Sequence, residues 1–231
     1  MTLTTSSRTA LPDAPAARLG LGAGVVAAVG FVLVDLADAL LRPGYSPLRH
    51  WVSHRALGDL GWIGTVSLLA AAALLLAHGA SLFAAARRAE SRSGYATALV
   101  VAAVALLVAA VFPMDPSLGY PPATPQPDAP TLAGRVHDVA GPVFVLAMAV
   151  SAFLSPRFLR ALGDSPQWAR FGPAAGIAIA LAFVLTAVLV SLDYAGVAWA
   201  RWSGAAERLA IYLGLLWVAS VARWLSRAES G

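Results

Sequence analysis

The sequence predicts an all-α, polytopic integral membrane protein built as a bundle of six transmembrane helices. The first observation is the composition: of 231 residues, 59% are hydrophobic and 12% are charged, and the mean hydropathy is +0.73. Soluble domains have about 45–50% apolar and about 25% charged residues. The second observation is that six stretches approach the roughly 20 apolar residues needed to cross a bilayer. Because these stretches do not alternate apolar and polar residues, they are not strands of a membrane barrel.

The six apolar stretches follow one another along the chain. They cover residues 19–41, 60–85, 95–112, about 136–154, about 172–192 and about 205–225. The first stretch is longer than the apolar core of about 7–15 residues in a signal peptide, so we expect it to be retained. The predicted organisation is a flexible cytoplasmic tail at 1–18, a six-helix transmembrane domain at 19–226 and a C-terminal tail at 227–231.

Each predicted helix ends where the composition changes. The connections carry arginine, proline or acidic residues at 42–59, 86–94, 112–135, 155–171 and 193–204. Asp193 closes the fifth helix, and Glu207-Arg208 opens the sixth. Prolines such as those at 113 and 116 favour extended or turn backbone and resist helix. The connection after the third helix is therefore expected to be a stiff wall or lid.

The charged residues predict how the bundle is inserted. All sixteen basic residues are arginine, and they divide unequally between the two ends. The termini and the 86–94 and 155–171 connections hold ten arginines and four acids: Arg8, Arg18, Arg87, Arg88, Arg92, Arg157, Arg160, Arg170, Arg223 and Arg227, with Asp13, Glu90, Asp164 and Glu229. The other end holds the remaining six arginines and eight acids. Because arginine-rich loops stay in the cytoplasm, both termini are predicted to be cytoplasmic and the protein to lie in the plasma membrane.

This distribution also limits the partners. The formal charge of +4 and the pI of about 10.1 reflect cytoplasmic anchoring loops, so no nucleic-acid partner is expected. The expected partner is the lipid bilayer, with a lipid or isoprenoid as a possible ligand. The oligomeric state stays open, because small-residue helix faces serve packing within a bundle and between bundles equally well.

Four residues near the outer end are candidates for acid–base catalysis: His137, Asp115, His50 and Asp35. Asp35 lies at membrane depth with Asp38 three residues on, where carboxylates are costly and are functional hypotheses by default. His50 and His54 are four residues apart and on a helix would share a face, as metal ligands often do, but interfacial histidines beside Trp51 are the favoured explanation. Asp115 could instead form a turn, and Asp138, beside His137, is expected to cap the fourth helix with Pro142 in its first turn.

Six further residues are candidates for substrate binding. They are Arg208, Ser53, Tyr120, Asp193, Glu207 and Arg49. A structural ion pair between Asp193 and Arg208 is the alternative to a functional role, and His78 is expected to be a packing residue. A bundle of six helices spaced about 8–10 Å apart could bring several of these side chains into one outward-facing cavity. The sequence assigns no metal ligand and leaves the cofactor open.

Four sequence blocks carry a family resemblance. They are Pro-Leu-Arg-His-Trp-Val-Ser at 47–53, Leu-Gly-Asp-Leu-Gly-Trp at 57–62, Phe-Pro-Met-Asp-Pro-Ser-Leu-Gly-Tyr-Pro-Pro-Ala-Thr-Pro at 112–125 and Gly-Arg-Val-His-Asp at 134–138. With Glu207-Arg208, they resemble the bacterial membrane family catalogued as domain of unknown function 998, frequent in actinobacteria. His54 departs from that pattern. The resemblance covers about residues 19–226 and implies six helices but no activity. A weaker similarity is to the Frag1/DRAM/Sfk1 group, which is linked to membrane-lipid handling.

Two functional hypotheses remain. In the first, the protein is non-catalytic: its outer polar residues bind a lipid or small amphiphile, with an accessory or small-solute transport role as the other non-catalytic possibility. In the second, a membrane enzyme acts on a lipid or isoprenoid, with His137 or His50 as general acid–base, Asp115 as the orienting carboxylate and Arg208 as an anion clamp. The sequence lacks a His-Glu-x-x-His, a Gly-x-Ser-x-Gly or a phosphate-binding-loop signature, so no reaction is specified.

Overall fold

The structure is a computed structural model that describes residues 15–88, 93–162 and 166–228. Over these residues it contains six α-helices: α1 (Pro15–Leu41), α2 (Gly61–Arg88), α3 (Gly94–Val111), α4 (Leu132–Ala161), α5 (Gly172–Tyr194) and α6 (Ser203–Ala228). Each is long and apolar enough to cross a membrane. The predicted all-α fold class, a six-helix membrane bundle, is confirmed.

Part of the predicted organisation falls on residues that the structure does not describe. Residues 1–14 and 229–231, which include most of the two predicted tails, lie outside the described ranges. So do charged residues that entered the prediction of orientation: Arg8, Asp13, Glu90, Arg92, Asp164 and Glu229. Within the described chain, α1 begins at Pro15, inside the predicted tail.

The helices form a closed ring in which each packs against the next in sequence, and α6 packs back against α1. Buried side chains from all six helices, mostly alanine and leucine, fill the centre together with Val52 of the Val52–Ala56 turn, and small residues allow close helix approach. Gly24 of α1 faces the ring of His78, which is fully buried and bonded to the carbonyl of Gly20 at 3.2 Å. His78 is therefore a packing residue, as predicted. Only 22% of the α5 span is buried, against 44–50% for the others, so α5 is the helix least buried within the chain.

The beginning of the fourth helix differs from the prediction. The helix starts at Leu132, with Thr131 as its N-cap and the Thr131 hydroxyl accepting a bond from the Gly134 amide at 3.0 Å. Asp138 therefore does not cap this helix, and Pro142 lies in its interior rather than its first turn. The prediction failed because the cap is a polar residue in the preceding connection, outside the apolar stretch that marked the span.

One end of the ring gathers the polar connections. Because the helices alternate in direction, α1, α3 and α5 end where α2, α4 and α6 begin. The connections 42–60, 112–131 and 195–202 therefore lie together, and we call this the polar end. Within it, a short 3₁₀ turn at Val52–Ala56 packs against α1, α2 and α6.

Candidate functional site

A buried ionic network occupies the polar end, formed by Asp35, Asp38, Arg42, Arg55 and Arg208. Asp35 lies 2.7 Å from Nε of Arg55 and 3.0 Å from Nε of Arg208. Asp38 lies 2.9 Å from Nε of Arg42 and 3.0 Å from Nη1 of Arg55. The Arg55 Nε–Asp35 contact is a charge pair without hydrogen-bond geometry. All five side chains are buried, so breaking one pair leaves an uncompensated charge.

The arginines of this network also bind the backbone of the connection 42–60. Nη1 of Arg208 donates to the carbonyls of Pro47 and His50, each at 2.8 Å. Nη2 of Arg42 donates to the carbonyl of Leu60 at 2.6 Å. A Cβ atom on Gly204 would lie 2.4 Å from the His50 carbonyl oxygen, so the connection sits directly on α6. The network thus fastens this connection over the ends of α1 and α6.

Two tyrosines complete the network. Nη2 of Arg208 donates to the hydroxyl of Tyr45, and the hydroxyl of Tyr212 donates to Asp35. The carbonyl of Gly204 accepts a further bond from Arg208 at 3.2 Å. With the bonds to Asp35, Pro47 and His50, these contacts use all five N–H groups of the guanidinium. Arg208 has no free donor left for an anionic ligand.

His50 and His54 join the connections 42–60 and 112–131. In each ring Nδ1 accepts a backbone N–H, from Ser46 at 2.9 Å and from Trp51 at 3.0 Å. Nε2 of His50 then donates to the carbonyl of Leu118 at 3.3 Å, and Nε2 of His54 lies 2.9 Å from the hydroxyl of Ser117. Both rings are buried rather than interfacial. Burial lowers the pKa of His50, and burial together with the neighbouring His50 ring lowers the pKa of His54 to about 3.

We call the connection 42–60, which lies over the ends of α1 and α6, the covering. Three further residues hold it in place: Tyr120, Arg49 and Asp193. The Tyr120 ring packs 5.3 Å from the ring of His50. Arg49 donates two bonds to Asp193 at the end of α5, from Nε at 2.6 Å and from Nη2 at 3.0 Å. Asp193 therefore pairs with Arg49, and the alternative ion pair to Arg208 is not formed. These contacts fix the connection 42–60 to α5 and to the connection 112–131.

Asp115 and His137 serve opposite helix ends. Asp115 accepts bonds from the backbone and the hydroxyl of Thr131, at 2.8 and 2.6 Å, and so supports the start of α4. Nδ1 of His137 donates to the carbonyls of Ala109 and Phe112, each at 2.9 Å, and satisfies the end of α3. Asp115 is thus not the partner that orients the His137 ring; backbone carbonyls are.

Beneath this covering lies an interhelical cavity of about 240 Å³. Its walls are mainly apolar side chains from all six helices: Phe31, Leu68, Leu106, Phe144, Val145, Phe183, Val190 and Ile211. Its polar lining comprises Trp51, Ser53, His137, Asp138, Thr186 and Glu207. Of the predicted site residues, Ser53, His137 and Glu207 line this cavity. Asp35, Arg208, His50, Tyr120, Arg49, Asp193 and Asp115 belong to the contacts around it.

Several polar groups of the lining are already engaged by the protein. Glu207 accepts the Val52 amide at 2.7 Å through Oε2, and Trp51 donates to the hydroxyl of Ser203 at 3.3 Å. Thr186 donates to the carbonyl of Ala182 within α5 at 3.0 Å. His137 is only 5% exposed, and with Nδ1 bonded to α3, its Nε2 has no partner among the described residues. The Ser53 hydroxyl, Nε2 of His137 and the carboxylates are therefore the groups left for a ligand.

Several important residues were missed or undervalued in the sequence. Asp38 and Arg42 are four residues apart on one helix, a spacing that indicates an ion pair. Arg208 and Tyr212 share the same spacing and both reach Asp35. Arg55 carries no local signal, because nothing in a polar connection shows which arginine will be buried. In the described chain, no group of three or more His, Cys, Asp or Glu side chains is placed to hold a metal ion.

The fold and the polar end define a six-helix membrane bundle with a polar end held together by a buried ionic network. The chain belongs to the family described as "Protein of unknown function (DUF998)", whose model matches residues 25–224. This confirms the resemblance carried by the polar connections. Comparisons with curated proteins and with solved structures find no match.

Proposed function

We propose that the protein binds a lipid or small amphiphile in the interhelical cavity without transforming it. The observation that carries the proposal is the division of the cavity lining. Apolar side chains such as Phe144 and Phe183 form its walls, and His137, Asp138 and Glu207 supply a few polar groups. Ligand sites are typically apolar pockets of about 300–1,000 Å³ with a few convergent polar groups. The volume of about 240 Å³ suits a headgroup and part of one chain.

The ionic network has a supporting role in this proposal. By fixing the connection 42–60 across α1 and α6, it separates the cavity from the aqueous side. Its aspartates and arginines satisfy one another, so they hold the covering rigid rather than contact the ligand. Preorganised walls lower the entropy lost on binding.

The distribution of arginines supports an orientation with both termini in the cytoplasm and the polar end outside, in the plasma membrane. The cavity would then serve the outer leaflet. A cysteine placed at the exposed Asp59 of the polar end should react with an impermeant thiol reagent in intact cells, since the chain has no other cysteine. Labelling only after cell lysis would contradict this orientation.

Filling the cavity tests the proposal. A Cβ on Gly141 of α4 meets nothing within 4 Å, and Gly141 lines the cavity. Leucine there should occupy the ligand volume with little strain. Gly30→Leu is the matched control, because its Cβ also meets nothing within 4 Å and Gly30 lies outside the lining. Native mass spectrometry of protein extracted in mild detergent should show a retained amphiphile on the wild type and on Gly30→Leu, and loss on Gly141→Leu. Equal retention on all three would contradict the proposal.

A second candidate function is a membrane enzyme that uses acid–base chemistry on a lipid or isoprenoid. One observation favours it: His137 carries its proton on Nδ1, which leaves Nε2 able to act as a base in a cavity that also holds Ser53 and Glu207. His137→Asn keeps an N–H donor for the α3 carbonyls but removes Nε2. A changed profile of extracted membrane lipids in cells carrying this variant would favour the enzyme. An unchanged profile would favour binding alone.

A further inference from the structure

We infer that the interhelical cavity takes an amphiphile whose headgroup is a protonated amine. This inference rests on the proposed function and specifies its ligand. Apart from the Ser53 hydroxyl, the polar groups left for a ligand are acceptors: the carboxylates of Asp138 and Glu207, and Nε2 of His137. Such a set complements a headgroup with several N–H donors.

His137 is the observation that makes this more than an acidic cluster. His137 is only 5% exposed, and it lines the cavity. Two carbonyls at the end of α3 fix its proton on Nδ1. Nε2 is therefore an acceptor at the cavity surface with no partner in the described chain. A ligand N–H placed there gives this acceptor a hydrogen-bond partner.

The charges around the cavity favour a cation over a neutral headgroup. The ionic network has three arginines and two aspartates, and Glu207 lies beside its Arg208. Asp138, exposed in the first turns of α4 at the polar end, has no ion-pair partner among the described residues. A cation bound beside it would give this carboxylate an opposite charge. An ammonium group between Asp138 and His137 supplies that charge.

The same geometry disfavours an anionic headgroup. The arginines nearest the cavity spend their donors elsewhere: Arg208 on Asp35, Tyr45 and three carbonyls, and Arg55 on Asp38 and the Ser67 hydroxyl. Neither lines the cavity. A phosphate there would meet two carboxylates and no free guanidinium, so repulsion and desolvation would both oppose it.

Three probes with one brominated undecyl chain test the headgroup: an amine, an alcohol and a phosphate monoester. Bromine quenches nearby tryptophan fluorescence, and Trp51 lines the cavity. The part of the saturable quenching that is present in the wild type and absent in Trp51→Phe therefore reports binding in the cavity. Quenching is measured in a non-ionic detergent at neutral pH. The amine should bind about ten- to a hundredfold more tightly than the phosphate, as expected for charge-assisted hydrogen bonds. Asp138→Asn should remove most of that preference, whereas Asp59→Asn, an exposed carboxylate outside the cavity, should preserve it.

The outcomes separate this inference from the proposed function. Tighter binding of the phosphate, or an amine preference that survives Asp138→Asn, overturns the inference. If all three probes bind equally and Gly141→Leu abolishes this binding, the inference about the amine headgroup is overturned. The amphiphile site of the proposed function then still stands. If no probe shows quenching that depends on both Trp51 and Gly141, the inference and the proposed function both fail.

Discussion

Replacing Asp35 by asparagine removes the carboxylate that two buried arginines share. The Asp35 side chain is fully buried, 2.7 Å from Nε of Arg55 and 3.0 Å from Nε of Arg208. Asparagine keeps the shape but leaves the network with three arginines and one aspartate. Removing one partner of a buried ion pair costs about 3–5 kcal/mol. Against a total stability of about 5–15 kcal/mol, that is a large fraction.

Thermal unfolding of the detergent-solubilised protein, followed by far-ultraviolet circular dichroism, measures this loss. At about 2–4 °C per kcal/mol for a chain of this size, the midpoint should fall by about 6–20 °C. The matched control is Asp59→Asn, which removes an exposed carboxylate at the same end and should change stability by less than about 0.5 kcal/mol. If the free energy of unfolding of Asp35→Asn is within about 1 kcal/mol of that of the wild type, the network does not hold the polar end together.

Three further predictions concern the connections. Lowering the pH from 7 to 5 should destabilise the protein by about 2 kcal/mol through His54, because the unfolded histidine takes up a proton near pH 6.5 and the folded one, with its pKa lowered to about 3 by burial, does not. This contribution of His54 is complete above about pH 6.5 and is lost as the pH falls toward 3. If the free energy of unfolding falls between pH 7 and pH 5 by no more in the wild type than in His54→Asn, the prediction is contradicted. Gly204→Ala should cost about 1–3 kcal/mol of unfolding free energy, because its Cβ would lie 2.4 Å from a carbonyl oxygen. Gly30→Ala, whose Cβ meets nothing within 4 Å, should be neutral or stabilising. Equal effects of the two substitutions in the same unfolding assay would refute the close approach at Gly204. Asp115→Ala should cost about 0.5–2 kcal/mol and speed amide hydrogen exchange in the first turn of α4, whereas the exposed Asp128→Asn should leave that exchange unchanged.

The helices could be predicted because bilayer thickness imposes a length of apolar sequence that is visible without an alignment. Their ends were harder. α4 begins at Leu132 because Thr131 and Asp115, both in the preceding connection, satisfy its first amides. Neither residue is apolar, so the apolar stretch alone placed this boundary too late.

The candidate site was predicted in part. Asp35 and Arg208 were both singled out, but as members of a ligand cavity, whereas they bind each other across 173 residues of sequence. Spacing along one helix predicts neighbours on that helix, not which helix faces which. His137, Ser53 and Glu207 do line one cavity, yet its apolar walls come from all six helices and could be recognised only after folding.

The central claim is that the interhelical cavity holds an amphiphile, and an experimental structure from a lipidic environment tests it most directly. We predict elongated density along Phe144 and Phe183, with its polar end within hydrogen-bond distance of His137 Nε2. A structure of Gly141→Leu determined under the same conditions should lack that density. A cavity that contains only water in the wild type, or density that persists unchanged in Gly141→Leu, would contradict the account.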